Sequence, residues 1–188
     1  EIEYRLLKGS GGYVWVKNTL SLIEHEGGEK KIYSIFNDMT KEREERARVR
    51  QNYNDLLLQH HQKSDPNALV MGHCNITEDR IIQISDQTGA GLLDRFGVVR
   101  EDFFTGLSGL IVEEEDRKNF RNTFLRAPSL AAFERGETVK IQEVYVQLPG
   151  EESGRYVKFE MKMVATPDSG DVTGILTVTA IPEQIISV

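Results

Sequence analysis

The sequence predicts an α+β fold, with antiparallel strands at both ends of the chain and helices between them. Three observations carry that prediction. Residues 2–38 alternate apolar and polar side chains at the strand period, interrupted by glycine-bearing turns. Residues 37–63, NDMTKEREERARVRQNYNDLLLQHHQK, contain neither Gly nor Pro, and strong helix formers dominate their first half. Beyond Pro66, two strand-like runs, a helical stretch and three further strand-like runs follow in order.

Composition narrows the function. At 188 residues, 39% hydrophobic and 28% charged, the chain reads as one large soluble domain or as one domain beside a fragment. A net charge of −7 argues against nucleic acid, whose binding normally needs a basic surface. The basic residues of the helical stretch alternate with acids, as on a solvated helix face. No apolar run is long enough to span a bilayer and no signal-peptide pattern opens the chain. The expectation is a cytoplasmic segment without membrane insertion. The single Cys74 excludes an internal disulfide and fits a reducing compartment. The sequence opens at Glu1 directly in a strand pattern, which reads as a piece of something longer.

Residues 2–8, IEYRLLK, alternate as a half-buried strand does. GSGG at 9–12 is a turn into YVWVKNTLSLIEHE (13–26). There Val14, Val16, Leu20 and Leu22 share one face, with Tyr13, Trp15 and Lys17 on the other. EGGE at 26–29 supplies the glycines a tight hairpin needs. KKIYSIFND (30–38) is the third strand and runs straight into the long helix. Three strands alone cannot bury both faces, so upstream residues or another chain are expected to complete this piece.

Asp38 or Thr40 is placed to cap the helix, since a short side-chain oxygen there satisfies an orphan backbone donor. Glu42 with Arg46, and Glu44 with Arg48, stand four apart with the acid first, the favourable order. Pro66 ends the helix by pushing Asp65 into an extended conformation. Alternating steps of three and four from Met39 pass through Glu42, Arg46, Val49, Tyr53, Leu56, His60 and Lys63, a seam apolar only in its middle. Such a helix is marginal alone in water. It is either a solvated connector packed on one neighbouring domain or, as preferred here, half of a parallel two-stranded coiled coil between copies of the chain.

In the second half, ALVMGHCNI (68–76) and DRIIQISDQ (79–87) read as strands, and GAGLLDRFG (89–97) as a short helix closed by glycine. Acids at 113–116 suit a helix N-terminus. Phe120, Thr123, Phe124 and Ala127 then make one stripe at helical spacing, with Pro128 expected to break the helix and a shorter segment ending at Gly136. Strands follow at 137–148, 154–166 and 172–181. In the middle one Val157, Phe159, Met161, Met163 and Ala165 face the core, while Tyr156, Lys158, Glu160 and Lys162 face away.

The two ends repeat each other. Gly12-Tyr13-Val14-Trp15-Val16 and Gly154-Arg155-Tyr156-Val157-Lys158-Phe159 both open a long strand after a glycine-bearing turn. Asp38 lies ten residues beyond Gly28, as Ala180 does beyond Gly170. The N-terminal piece thus reads as the back half of a domain whose whole version follows the helix. On these residues the chain resembles the PAS family of sensor domains with its C-terminal PAC segment. Gly11 to Val16, Gly27-Gly28 and Asp38-Met39-Thr40 are similar to the PAC pattern, Phe103-Phe104-Thr105-Gly106 to the family's "ellG" segment, and Glu114-Glu115-Asp116-Arg117 to its "PEDR" helix start.

The resemblance implies a five-stranded antiparallel sheet, order 2-1-5-4-3, with helices on one face. It also implies helical linkers that carry signals to an output domain, often within a dimer. It divides the chain into the C-terminal half of a PAS domain (1–38), a helical linker (39–64), a complete PAS domain (65–182) and the start of an exit segment (183–188). One departure is plain: the second domain ends Ala180-Ile181-Pro182, without the capping carboxylate of Asp38, although Pro182 can still open a helix. By analogy alone, the parent would carry a histidine kinase of a two-component system, or a diguanylate cyclase or phosphodiesterase, downstream.

No catalytic constellation emerges, and no enzymatic activity is expected of this segment. His60-His61 lack the residues that follow a phosphoacceptor histidine, and His73-Cys74 point to opposite faces of a strand, unsuited to one metal. His25, beside a turn, reads as solvated, and Cys74 as a small core residue. The reactive-Cys run of the family's flavin sensors and the long-helix His of its haem sensors are both missing, so no cofactor is expected. Candidate residues for lining a small apolar ligand pocket are Phe120, Phe124, Val144, Val146, Phe159, Met161 and Met163, which would serve equally as plain core. Asp38 and Thr40 at the cap, with Val49, Tyr53 and Leu56 along the seam, are the expected signal-coupling residues. The expected function is sensing a small ligand or partner and transmitting through the linker, as a homodimer in contact through the linker helix and PAS surfaces, to an output domain of the same chain. The alternative is a ligand-free dimerisation scaffold.

Overall fold

The computed structural model describes residues 1–62 and 66–182. The expected exit segment 183–188 lies outside the described residues. The chain forms two compact units, residues 1–51 and 52 onward.

In the first unit, β1 (Ile2–Leu7), β2 (Tyr13–Glu24) and β3 (Lys30–Asp38) form an antiparallel sheet in that order. The β2–β3 hairpin turns at Gly27 and Gly28, with φ of 112° and 81°, where any Cβ would be strained. Ile2, Leu6, Leu20, Leu22 and Phe36 remain exposed, and Val16 is buried. Helix α1 (Thr40–Gln62) begins immediately after β3. On its surface Arg46 pairs with Glu42 at 2.5 Å, as the spacing predicts. Arg48 does not take Glu44. It grips both oxygens of Glu45, at 2.6 and 2.7 Å, because the residue three positions back is as close on a helix surface as the one four back.

The second unit contains β4 (Ala68–Asn75), β5 (Arg80–Asp86), α2 (Leu92–Phe96), α3 (Arg100–Gly109), α4 (Glu114–Phe124), α5 (Arg126–Glu134), β6 (Val139–Val146), β7 (Arg155–Ala165) and β8 (Val172–Ala180). Its five-stranded antiparallel sheet has the order β5-β4-β8-β7-β6. Val157, Phe159, Met161 and Met163 of β7 are buried against Phe103, Phe104 and Leu107 of α3 and Phe120 and Phe124 of α4, in one continuous core. The segment between α3 and α4 is tied to the sheet edge: Val112 N–H donates to Tyr145 O at 3.1 Å, and Gln147 N–H to Leu110 O at 2.9 Å.

One detail goes beyond the sequence reading and two differ from it. Residues 100–109 form a full helix, although Thr105, Gly106 and Gly109 are poor helix formers. Burial of Phe103, Phe104 and Leu107 overrides that local preference. The break after α4 falls at Leu125, which is extended (ψ 165°), and not at Pro128. Pro128 sits in the first turn of α5, where its missing N–H costs nothing, and Ala127 leaves the apolar stripe for an exposed position. The repeat also runs one residue out of step at its glycines. Val16 pairs with Tyr4 and Asp38, and Val157 with Val144 and Ala180, so Tyr156 is the counterpart of Trp15 and Ser153 that of Gly12.

Candidate functional site

The junction of β3 with α1 is the first candidate. Asp38 Oδ1 accepts the Thr40 N–H at 2.9 Å, satisfying a donor that the helix start would otherwise orphan. Of the two expected caps, Asp38 alone does this. The Thr40 hydroxyl turns to the sheet and accepts the Trp15 N–H at 3.0 Å, while the Met39 N–H donates to Trp15 O at 2.7 Å. One turn on, Arg43 lays its guanidinium over the Trp15 ring, 3.7 Å from the centroid, and donates to Glu3 Oε2 at 2.6 Å. The helix start is therefore fastened to β1 and β2 together. The hydrogen bond from Thr40 N–H holds the Asp38 carboxyl below its usual range, and that from Arg43 does the same for Glu3. Sequence reasoning named Asp38 and Thr40 but missed Trp15, Arg43 and Glu3, whose partnership depends on strand register. Val49, Tyr53 and Leu56 are each partly buried on α1.

The end of β8 in the second unit repeats part of this junction. The Ile181 N–H donates to Tyr156 O at 2.9 Å, the counterpart of the Met39–Trp15 bond. Ala180 stands where Asp38 does, so the carboxylate has no equivalent.

All seven pocket candidates are buried in the core of the second unit. Phe120 meets Phe124 at 4.7 Å between ring centres and Phe159 edge-on at 4.9 Å, so these rings largely fill one another's space. Val146 and Phe159 border an apolar cavity with Val70, Leu92 and Leu107, about 20 Å³ in volume, room for roughly one water molecule. Two polar features belong to the same unit. Asp86 binds the start of α2: Oδ1 accepts from Thr88 N–H at 2.8 Å and the Thr88 hydroxyl at 2.5 Å, and Oδ2 from Leu92 N–H at 2.9 Å. Burial pushes that carboxyl up, but the hydrogen bonds outweigh it and hold it below the usual range. Arg100, wholly buried, donates to the Phe124 carbonyl that ends α4 at 2.7 Å. No motif marked either residue.

Among the described residues, no cluster of His, Cys, Asp or Glu is arranged as a metal site, and no helix is long and apolar enough to cross a membrane. No protein-family model and no curated protein matches the chain. Among solved structures the chain is similar to the PAS domain of Bordetella pertussis BvgS, with 15% identity and a TM-score of 0.34, over 70% of this chain and 90% of that one.

Proposed function

We propose that this chain is the sensing and transducing region of a larger cytoplasmic signalling protein, built from the back half of one PAS domain, a linker helix and a second, complete PAS domain. The junction at Trp15, Asp38, Thr40 and Arg43 carries this reading. Backbone hydrogen bonds, a side-chain cap and a stacked cation join the sheet to the first turn of α1, so a change in the sheet moves the helix rather than being lost in a slack linker. Two further features support it: the strand order of the second unit is the one the PAS resemblance implies, and the Met39–Trp15 bond recurs as Ile181–Tyr156. A ligand or partner that favours one packing of a core biases the helix by its difference in affinity for the two states. The helix passes that bias as rotation or splaying, paired with a second copy along Val49, Tyr53 and Leu56, to an output domain.

Deleting two residues between Glu45 and Gln51 in the full-length parent tests this, because it turns everything downstream by about 200° of helical phase. Altered output is expected, and unchanged output would reduce the helix to a tether. A second reading, a ligand-free dimerisation scaffold, is favoured by the close packing of Phe120 on Phe124 and Phe159 where a ligand pocket was expected. Denaturing extraction of the purified protein followed by mass spectrometry separates the two, since a stoichiometric small molecule supports sensing.

A further inference from the structure

Arg100, the first residue of α3, is the only charged side chain among the described residues that is wholly buried. Its Nη2 donates to Phe124 O at 2.7 Å and lies 3.4 Å from Ser129 Oγ and 3.7 Å from Met161 Sδ. Its Cζ stands 4.3 Å from the centre of the Phe104 ring. Nε and Nη1 find no oxygen or nitrogen partner among the described residues, where the neutral Cys74 thiol is the other group against the guanidinium and no carboxylate pairs with it.

A guanidinium does not shed its proton inside a protein. The carbonyl end of α4 and the ring face of Phe104 offset part of its charge. They still leave two donors without an oxygen or nitrogen acceptor, and a buried ion lacking a counter-ion is among the costliest features a core can carry. Cys74 does not supply the missing charge. Burial pushes its thiol up against the pull of Arg100, so the sulfur stays neutral at physiological pH.

We infer that Arg100 marks a buried binding site for a small monocarboxylate, held by its Nε and Nη1 donors against walls formed by Phe104 and Met161. The class follows from charge and shape. One cation, with no second buried cation beside it, balances one negative charge and not the two of a phosphate. The planar guanidinium matches a carboxylate, and apolar walls suit a short hydrocarbon body. The site is closed in this structure: Arg100 is wholly buried and Met161 Sδ lies 3.7 Å from Nη2. Entry therefore repacks Met161, a flexible side chain, and couples occupancy to a second arrangement of the core. This gives the sensing reading its ligand class and rests on that reading for its biological meaning. Binding and transmission are measured separately.

The test is thermal melting of the full 188-residue chain with sodium propionate as probe, sodium fluoride keeping ionic strength constant. The wild-type midpoint should rise and saturate, by roughly 5–10 °C at a hundredfold excess over Kd, while Arg100→Leu shows no saturable rise. Equal saturation in Arg100→Leu, or none in the wild type, overturns the site. Should the variant not fold, the Arg100 Nε–H resonance of the wild type decides. A saturable shift with propionate supports the site, and an unmoved resonance overturns it. Saturable binding together with unchanged output from the two-residue deletion would keep the site and sink only the transmission.

Discussion

Replacing Arg43 by Met keeps the aliphatic stem but removes the cation from above Trp15, leaving the backbone bonds of the junction in place. The guanidinium lies 3.7 Å from the centroid of a partly buried ring. A stacked pair of this kind contributes about 0.5–2 kcal/mol, and half-burial places it near 1 kcal/mol. The ion pair to Glu3 is exposed and screened, so it adds little. An energy of about 1 kcal/mol corresponds to roughly fivefold in the local opening equilibrium. Amide hydrogen exchange at Met39, whose N–H is bonded to Trp15 O, reads that opening directly. The exchange should quicken about fivefold in Arg43→Met, and a double-mutant cycle with Trp15→Leu should return a coupling near 1 kcal/mol. Trp15 is the only tryptophan in the chain, so its emission offers an independent view of the same contact. A coupling indistinguishable from zero, with unchanged emission, would refute the idea that this stack fastens helix to sheet.

Other consequences follow from the second unit. Phe120→Ala removes a wholly buried ring packed on Phe104, Phe124 and Phe159 and should cost about 3–5 kcal/mol in urea unfolding. A loss below about 1 kcal/mol would mean the core collapses into the space. Gly72→Ala drives a Cβ to 2.3 Å from Gln83 O, a backbone atom that cannot swing aside, and should destabilise by about 1–3 kcal/mol. Asp86 has a folded pKa below its unfolded value, so its contribution is present above the ordinary value of 3.8 and is lost as pH falls through the lowered folded value. Urea unfolding of wild type and Asp86→Asn should therefore differ at pH 7 and converge well below pH 4. A gap that persists in acid would show that the hydrogen bonds do not depend on the charge.

What the sequence determined by itself was whatever repeats locally. The period of two in β7 records which side chains need shielding, and it placed Val157, Phe159, Met161 and Met163 in the core. Glycines at 27 and 28 are needed because the hairpin takes positive φ there, and the uninterrupted run from Thr40 admits only a helix. The tertiary structure decided which distant groups meet. Trp15 and Thr40 are 25 residues apart and Arg43 and Glu3 are 40 apart, so their bonds exist only once the strands have chosen a register. α3 forms against the propensity of its glycines because Phe103 and Phe104 gain a core to enter. Arg100 is the sharpest case. An arginine between a valine and a glutamate reads as surface, and only the packing of α3, α4 and α5 onto β7 seals its charge inside. Periodicity is a property of neighbours along a chain, whereas burial of a lone charge is a property of the whole enclosure.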